Sequence, residues 1–163
     1  KSKKNKYIDI VYLKTGKLFE ASALVAMDIA GESSNDWARD FGKNFGIAYQ
    51  LRNDFLDYFG DDKQTGKNIA EDLSEGKSTL PLIHSYINSN DSDKEVIRNI
   101  FNNNPASGAD TLRDIFDKYK SDFYTLKEIE KYSQNAIDAL DGLNADSRQP
   151  LIDLTNNCCK RSK

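Results

Sequence analysis

Residues 7–30 form an unbroken, proline-free stretch whose apolar residues recur at helical spacing on two sides at once. Val11, Thr15, Leu18, Ser22, Val25 and Ile29 make one stripe, and Ile8, Tyr12, Phe19, Ala23 and Ala30 make the other. A helix apolar on more than one side needs neighbours on more than one side, so this segment is expected in the middle of a helical bundle. Lys14, Thr15 and Lys17 interrupt its first half, which is therefore expected to open onto a cavity or solvent.

After a break at residues 31–35, with Ser34 and Asn35 as candidate N-caps, a second long helix is predicted to run to about Phe59. Trp37, Phe41, Phe45, Ala48, Phe55 and Phe59 mark its aromatic side, which reads as core. Gly42 and Gly46 are four residues apart, a spacing that lets another backbone approach closely. Residues 60–78 read as a polar loop bearing Gly60, Gly66 and Gly76, and Pro81 restarts regular structure. Amphipathic helices are predicted at 80–88, 93–103, 108–120, 122–141 and 146–158, and nothing alternates with period two. The expected fold is all-α, a helical bundle.

Composition narrows the function classes. Leu, Ile, Val and Phe make up 38 of 163 residues, a share of about 23% that lies above the level of roughly 20% typical of disordered chains. A net charge of −3 carries no general affinity for nucleic acid. No stretch approaches the roughly 20 apolar residues of a transmembrane helix. The two cysteines, Cys158 and Cys159, are adjacent, which does not make a disulfide framework and points to a reduced, cytoplasmic setting. The basic run at residues 1–6 is expected to be a flexible terminus, with the folded part spanning 7–163. With Lys1 first and Met27 the sole methionine, the chain is read as a piece of a longer protein.

The chemistry-bearing feature is a polar stripe on the second helix. Gln50, Asp54, Asp57 and Asp61 fall at intervals of four, three and four, on one helical face, with Asn53 beside Asp54. Like charges at such spacing cost an isolated helix a few tenths of a kcal/mol each. A divalent cation reverses that sign, because magnesium favours carboxylate oxygens and shares its shell with phosphates. On spacing alone, a solvated acidic face is the simpler reading. Lys14 and Thr15, Gln50, and Lys67 and Lys77 in the glycine-bearing loop change the balance, since together they supply the donors a metal-held diphosphate needs. His84 has no Cys or His partner in sequence and reads as a packed or exposed helix residue, and Cys158-Cys159 reads as structural.

Three segments carry a resemblance: KTGKLFEAS at 14–22, FGIAYQLRNDFLD at 45–57, and GKN at 66–68 followed by DLSEGKSTLP at 72–81. They resemble the later motifs of the trans-isoprenyl (polyprenyl) diphosphate synthase family, and residues 136–142 and 148–160 resemble the closing helices of its geranylgeranyl and longer-chain members. The resemblance implies a partial isoprenoid synthase fold, with 7–163 as the carboxy-terminal part of a polyprenyl synthase domain. It implies an enzyme that condenses isopentenyl diphosphate with an allylic diphosphate by magnesium-assisted ionisation. By the same likeness, Asp54 and Asp57, with Asn53, correspond to the metal-binding second aspartate-rich motif. Lys14, Thr15, Gln50 and Lys67 correspond to catalytic positions, and Lys14, Lys67 and Lys77 to diphosphate-binding ones. A homodimer or heteromer is implied for the full-length form.

Two departures bear on activity. The family's second motif reads D-D-x-x-D, whereas residues 53–57 read N-D-F-L-D, so the leading position offers an amide without negative charge. The first aspartate-rich motif has no counterpart; D-D-K-Q-T at 61–65 is the nearest string. The chain alone is therefore expected to be inactive. The alternatives are a non-catalytic synthase-like subunit supporting an active partner, for which Asn53 speaks, and a helical binding module without prenyl chemistry.

Overall fold

The proline-free opening stretch is helical, as its periodicity demands, but in two pieces. In the computed structural model, which describes residues 2–31, 36–60, 71–103 and 108–160 (Glu71 and Lys160 by backbone alone), α1 is Lys3–Val11 and α2 is Lys17–Ile29. A π-helical turn, Tyr12–Gly16, joins them and carries Lys14 and Thr15. Such one-residue widenings leave the regular hydrogen-bond ladder and recur at functional sites. The helix starts at Lys3, inside the basic run expected to be flexible. Lys3 Nζ lies 4.4 Å from the centre of the Tyr86 ring and Lys4 Nζ 5.2 Å from that of Tyr124, contacts that hold this end by cation–π attraction.

The remaining helices are α3 (Asp36–Phe59), α4 (Glu71–Ser74), α5 (Leu80–Asn88), α6 (Asp91–Asn103), α7 (Ala109–Lys118), α8 (Ser121–Asp138) and α9 (Ala145–Thr155), the last continuing into a π-turn at Asn156–Lys160. No strand occurs among the described residues, so the all-α expectation holds. The expected N-caps Ser34 and Asn35 lie outside the described residues, as do Asp61 and Lys67. Two units are distinguished, Lys1–Tyr7 with Asn53–Leu126, and Ile8–Arg52 with Lys127–Lys163; α1, α3 and α8 each contribute to both.

In the second of these, the glycine spacing on α3 finds its partner. A Cβ on Gly46 would lie 2.7 Å from Gly16 Cα, and one on Gly42 would lie 2.7 Å from both Glu20 Cα and Phe19 O. Gly16 thus faces Gly46 and Glu20 faces Gly42, an antiparallel register set by the absence of two side chains. Phe19 packs edge-on to Phe45 at 5.0 Å and tilted against Tyr49 at 5.6 Å. Of the other stripe, Val11 is buried but the members on α2 do not meet the expectation of burial. Leu18, Val25 and Ile29 are 70%, 56% and 82% exposed, because the face of α2 that seats on α3 is the one through Gly16, Phe19 and Glu20.

In the unit containing the end of α3, Tyr58, Leu73, Leu82, Ile97, Ile100, Leu112, Ile115 and Phe116 form one buried cluster. Arg113 Nε donates to the Tyr58 carbonyl at 2.8 Å, tying α7 to α3. On α5, His84 stacks on Tyr124 at 4.1 Å between centroids, and its Nδ1 is 2.8 Å from Ser121 Oγ, which in turn is 2.5 Å from Ser85 Oγ. This satisfied, packed position agrees with the structural reading of His84. Burial first, and then the nearby Lys4 charge, hold the imidazole below its ordinary value of 6.5. The folded state therefore binds the proton less readily than the unfolded chain. His84 contributes stability in full above pH 6.5, and that contribution is lost as pH falls through the folded-state value. Urea unfolding at pH 7.5 and pH 5.5 should show a loss on acidification in the wild type that is smaller in His84→Gln; equal losses would remove His84 from the account.

Candidate functional site

The π-turn and α3 place two of the sequence-predicted residues in contact. Thr15 Oγ1 donates to Gln50 Oε1 at 2.7 Å, which leaves the Gln50 amide nitrogen oriented away from that bond. The antiparallel glycine register accounts for the pairing: once Gly16 sits on Gly46, the neighbouring Thr15 comes opposite Gln50, one turn further along α3. Lys14 stands exposed on the same π-turn. Beside it is a network that spacing did not reveal. The buried Glu20 carboxylate accepts from Tyr12 Oη at 2.5 Å and from Lys17 Nζ at 3.0 Å. Burial alone would raise the Glu20 value, but the bonds from Tyr12 and Lys17 outweigh it and hold the acid below its ordinary range. Glu20 thus remains an anion that anchors both ends of the π-turn.

The acidic positions lie at the carboxyl end of α3, and their surroundings differ. Asn53 is exposed, Asp54 is buried, and Asp57 is half-buried. Asp54 Oδ2 accepts a 2.5 Å hydrogen bond from Tyr7 Oη on α1. Burial, then the Asp54 charge, raise the Tyr7 value well above the ordinary phenol range, so the hydroxyl stays a donor. Asp57 Oδ2 accepts from the backbone N–H of Asp72 at 3.2 Å, at the start of α4. Each carboxylate is therefore oriented by an element other than its own helix.

Lys77, predicted to bind diphosphate, is ion-paired with Asp72 at 2.7 Å and with Glu75. The Asp72 bond first, then that to Glu75, raise its value, so the ammonium is permanently charged. Its reach toward any anion is limited by these two carboxylates. Lys67, and Asp61 at the end of the stripe, fall outside the described residues. Sequence reasoning missed Tyr7, Tyr12, Glu20 and Asp72. Tyr7 and Asp54 are 47 residues apart, and no periodicity links positions across such a distance.

Among the described residues, no group of three His, Cys, Asp or Glu side chains converges to hold a metal. Asp54, Asp57 and Asn53 provide two carboxylates and an amide. Oxygen donors of this kind suit a hard cation that fills the rest of its shell with water and phosphate oxygens; they do not form a closed protein cage.

A family model for polyprenyl synthetase matches residues 1–119. The geranylgeranyl diphosphate synthase of Sulfolobus acidocaldarius is 36% identical over 152 residues, covering 91% of this chain and 46% of that protein. The octaprenyl diphosphate synthase of Escherichia coli is 32% identical over 163 residues, with 96% and 50% covered. Among solved structures, the octaprenyl pyrophosphate synthase from Helicobacter pylori superposes with a TM-score of 0.88 at 31% identity, covering 99% of this chain and 52% of that one. A polyprenyl synthase from Caulobacter crescentus, complexed with calcium and isoprenyl diphosphate, gives 0.88 at 30% identity, with 96% and 49% covered. The chain spans about half the length of the relatives it matches. Since the family model covers 119 of the 163 residues, the chain belongs to the polyprenyl synthetase family.

Proposed function

We propose that the protein to which this chain belongs is a trans-prenyltransferase that condenses isopentenyl diphosphate with an allylic diphosphate. The observation that carries the reading is the pair of oriented carboxylates on α3, Asp54 held by Tyr7 and Asp57 by the Asp72 N–H, in a chain of this family. The relative from Caulobacter crescentus, complexed with calcium and isoprenyl diphosphate, supports a divalent cation and a diphosphate as ligands.

In this reading Asp54 and Asp57, with the Asn53 carbonyl, hold magnesium against the allylic diphosphate. A magnesium ion held there would neutralise charge on the departing pyrophosphate and so favour ionisation of the allylic carbon–oxygen bond. Lys14, Lys67 and Lys77 take diphosphate oxygens by charge-assisted hydrogen bonds, Lys77 after release from Asp72 and Glu75. Thr15 and Gln50, fixed against each other, offer the lone pairs of Oγ1 and Oε1 to developing positive charge. The double bond of isopentenyl diphosphate attacks the allylic carbon, and a proton then leaves the new cation. No side-chain nucleophile is required.

Neither Cys158 nor Cys159 is in a disulfide, which is in keeping with a reduced, cytoplasmic setting. The exposed stripe of Leu18, Val25 and Ile29 supports association into a homodimer or heteromer. No described helix is long and apolar enough to cross a membrane.

Titration of the chain with a thiolo analogue of an allylic diphosphate tests the reading. Weak binding that requires magnesium is expected, and Asn53→Asp should tighten it by about tenfold, the scale of one added charge-assisted contact. Binding indifferent to magnesium, or no binding at all, would count against the metal wall. Asn53 also favours a second reading, a non-catalytic subunit that supports an active partner. Failure of the longer natural protein to incorporate labelled isopentenyl diphosphate, with Asn53→Asp restoring incorporation, would establish it.

A further inference from the structure

Tyr7 is buried on α1 and donates to Asp54 Oδ2 at 2.5 Å. The start of α1 and the end of α3 therefore meet at one phenolic oxygen, within one unit. A phenylalanine would fill the same space, so the hydroxyl is the part that packing does not explain.

We propose that Tyr7 is a positioning residue for the metal wall: its hydroxyl fixes the orientation of the Asp54 carboxylate. The proposal rests on the reading of Asp54 as a magnesium ligand. An aspartate has two side-chain torsions, and a donor carried on a separate helix selects one setting of both. Groups that orient a metal-ligating side chain in this way typically account for about 10- to 100-fold in metal affinity. Asp57 is oriented by a backbone N–H, which no substitution at Asp72 other than proline removes, whereas Tyr7 is an outer partner that a side-chain change can delete.

The test is calorimetric titration of the 163-residue chain with magnesium and the thiolo analogue, for the wild type, Tyr7→Phe, Asp54→Asn and the double variant. Tyr7→Phe is expected to weaken magnesium-dependent binding by about 10- to 100-fold. It should shift the metal-free melting curve by no more than a few degrees and cost nothing further in the Asp54→Asn background. Wild-type affinity in Tyr7→Phe, or an equal penalty in both backgrounds, would overturn the proposal while leaving Asp54 as a ligand. Absence of magnesium-dependent binding in the wild type would instead remove the reading of Asp54, and the proposal with it. Should Tyr7→Phe fail to fold, carbon-13 labelling of the tyrosine Cζ atoms carries the test. One resonance must move both on Asp54→Asn substitution and, in the wild type, with the magnesium titration; no such resonance would sink the proposal.

Discussion

Asp54→Asn is expected to weaken magnesium-dependent binding of an allylic diphosphate analogue by about 100-fold, while the chain keeps its helical fold. Asparagine is isosteric, and its carbonyl can still accept from Tyr7 Oη, so the buried contact between α1 and α3 persists. What disappears is one of the two carboxylates of the metal wall, at a position already weakened by the amide of Asn53. A magnesium ion shared with substrate phosphates is commonly held by only one or two protein carboxylates, so removing one takes away much of the protein's share of the shell. Stability should change by no more than about 1 kcal/mol, since a hydrogen-bonded charge is exchanged for a hydrogen-bonded dipole. Calorimetric titration together with a urea unfolding curve reads both quantities. An unchanged affinity would show that Asp54 serves the packing of α1 and not the metal. The same pair of measurements on Asp57→Asn should give a similar loss, with the Asp72 N–H still satisfied by the amide oxygen.

The helices were legible in the sequence because their signal is local. The aromatic side of α3 and the short amphipathic segments announce themselves within a few turns, and the helix ends agree to within a few residues. The glycine pair at 42 and 46 announced a close approach, and its partner proved to be Gly16 through Glu20. Two kinds of information were not local and did not show. The π-turn at Tyr12–Gly16 adds a residue to one turn without changing composition, and apolar spacing read across it still looks helical. The contacts that orient the site, Tyr7 with Asp54 and the Asp72 N–H with Asp57, span 47 and 15 residues and depend on how chain segments return to α3. Burial of the first stripe also failed as an expectation beyond Val11. Helical spacing shows which residues share a face, but not which face another helix covers, and Leu18, Val25 and Ile29 remain exposed while Glu20 is buried.

The glycine register carries the second large effect. On an exposed helix, Gly→Ala would stabilise by about 1 kcal/mol through helix propensity. At Gly46 and Gly42 the sign should reverse. The added Cβ would sit 2.7 Å from Gly16 Cα in one case, and 2.7 Å from Glu20 Cα and Phe19 O in the other. In each case the obstacle is backbone, which cannot swing aside as a flexible side chain can. Restoring ordinary contact would require α2 and α3 to move apart, loosening the packing of Phe19 on Phe45 and Tyr49. Overpacking of this kind costs typically 1–3 kcal/mol and occasionally more, so each variant should be destabilised by about 2 kcal/mol or more. The two are separable by function. Gly42 lies against Glu20, away from the π-turn contact, whereas Gly46 lies against Gly16, next to the Thr15–Gln50 hydrogen bond of 2.7 Å. Gly46→Ala should therefore weaken binding of the diphosphate analogue beyond what its loss of stability explains, while Gly42→Ala should lose stability first. Urea unfolding and analogue titration on both variants check this, and a Gly46→Ala chain as stable as the wild type would show that α2 and α3 do not meet through these glycines.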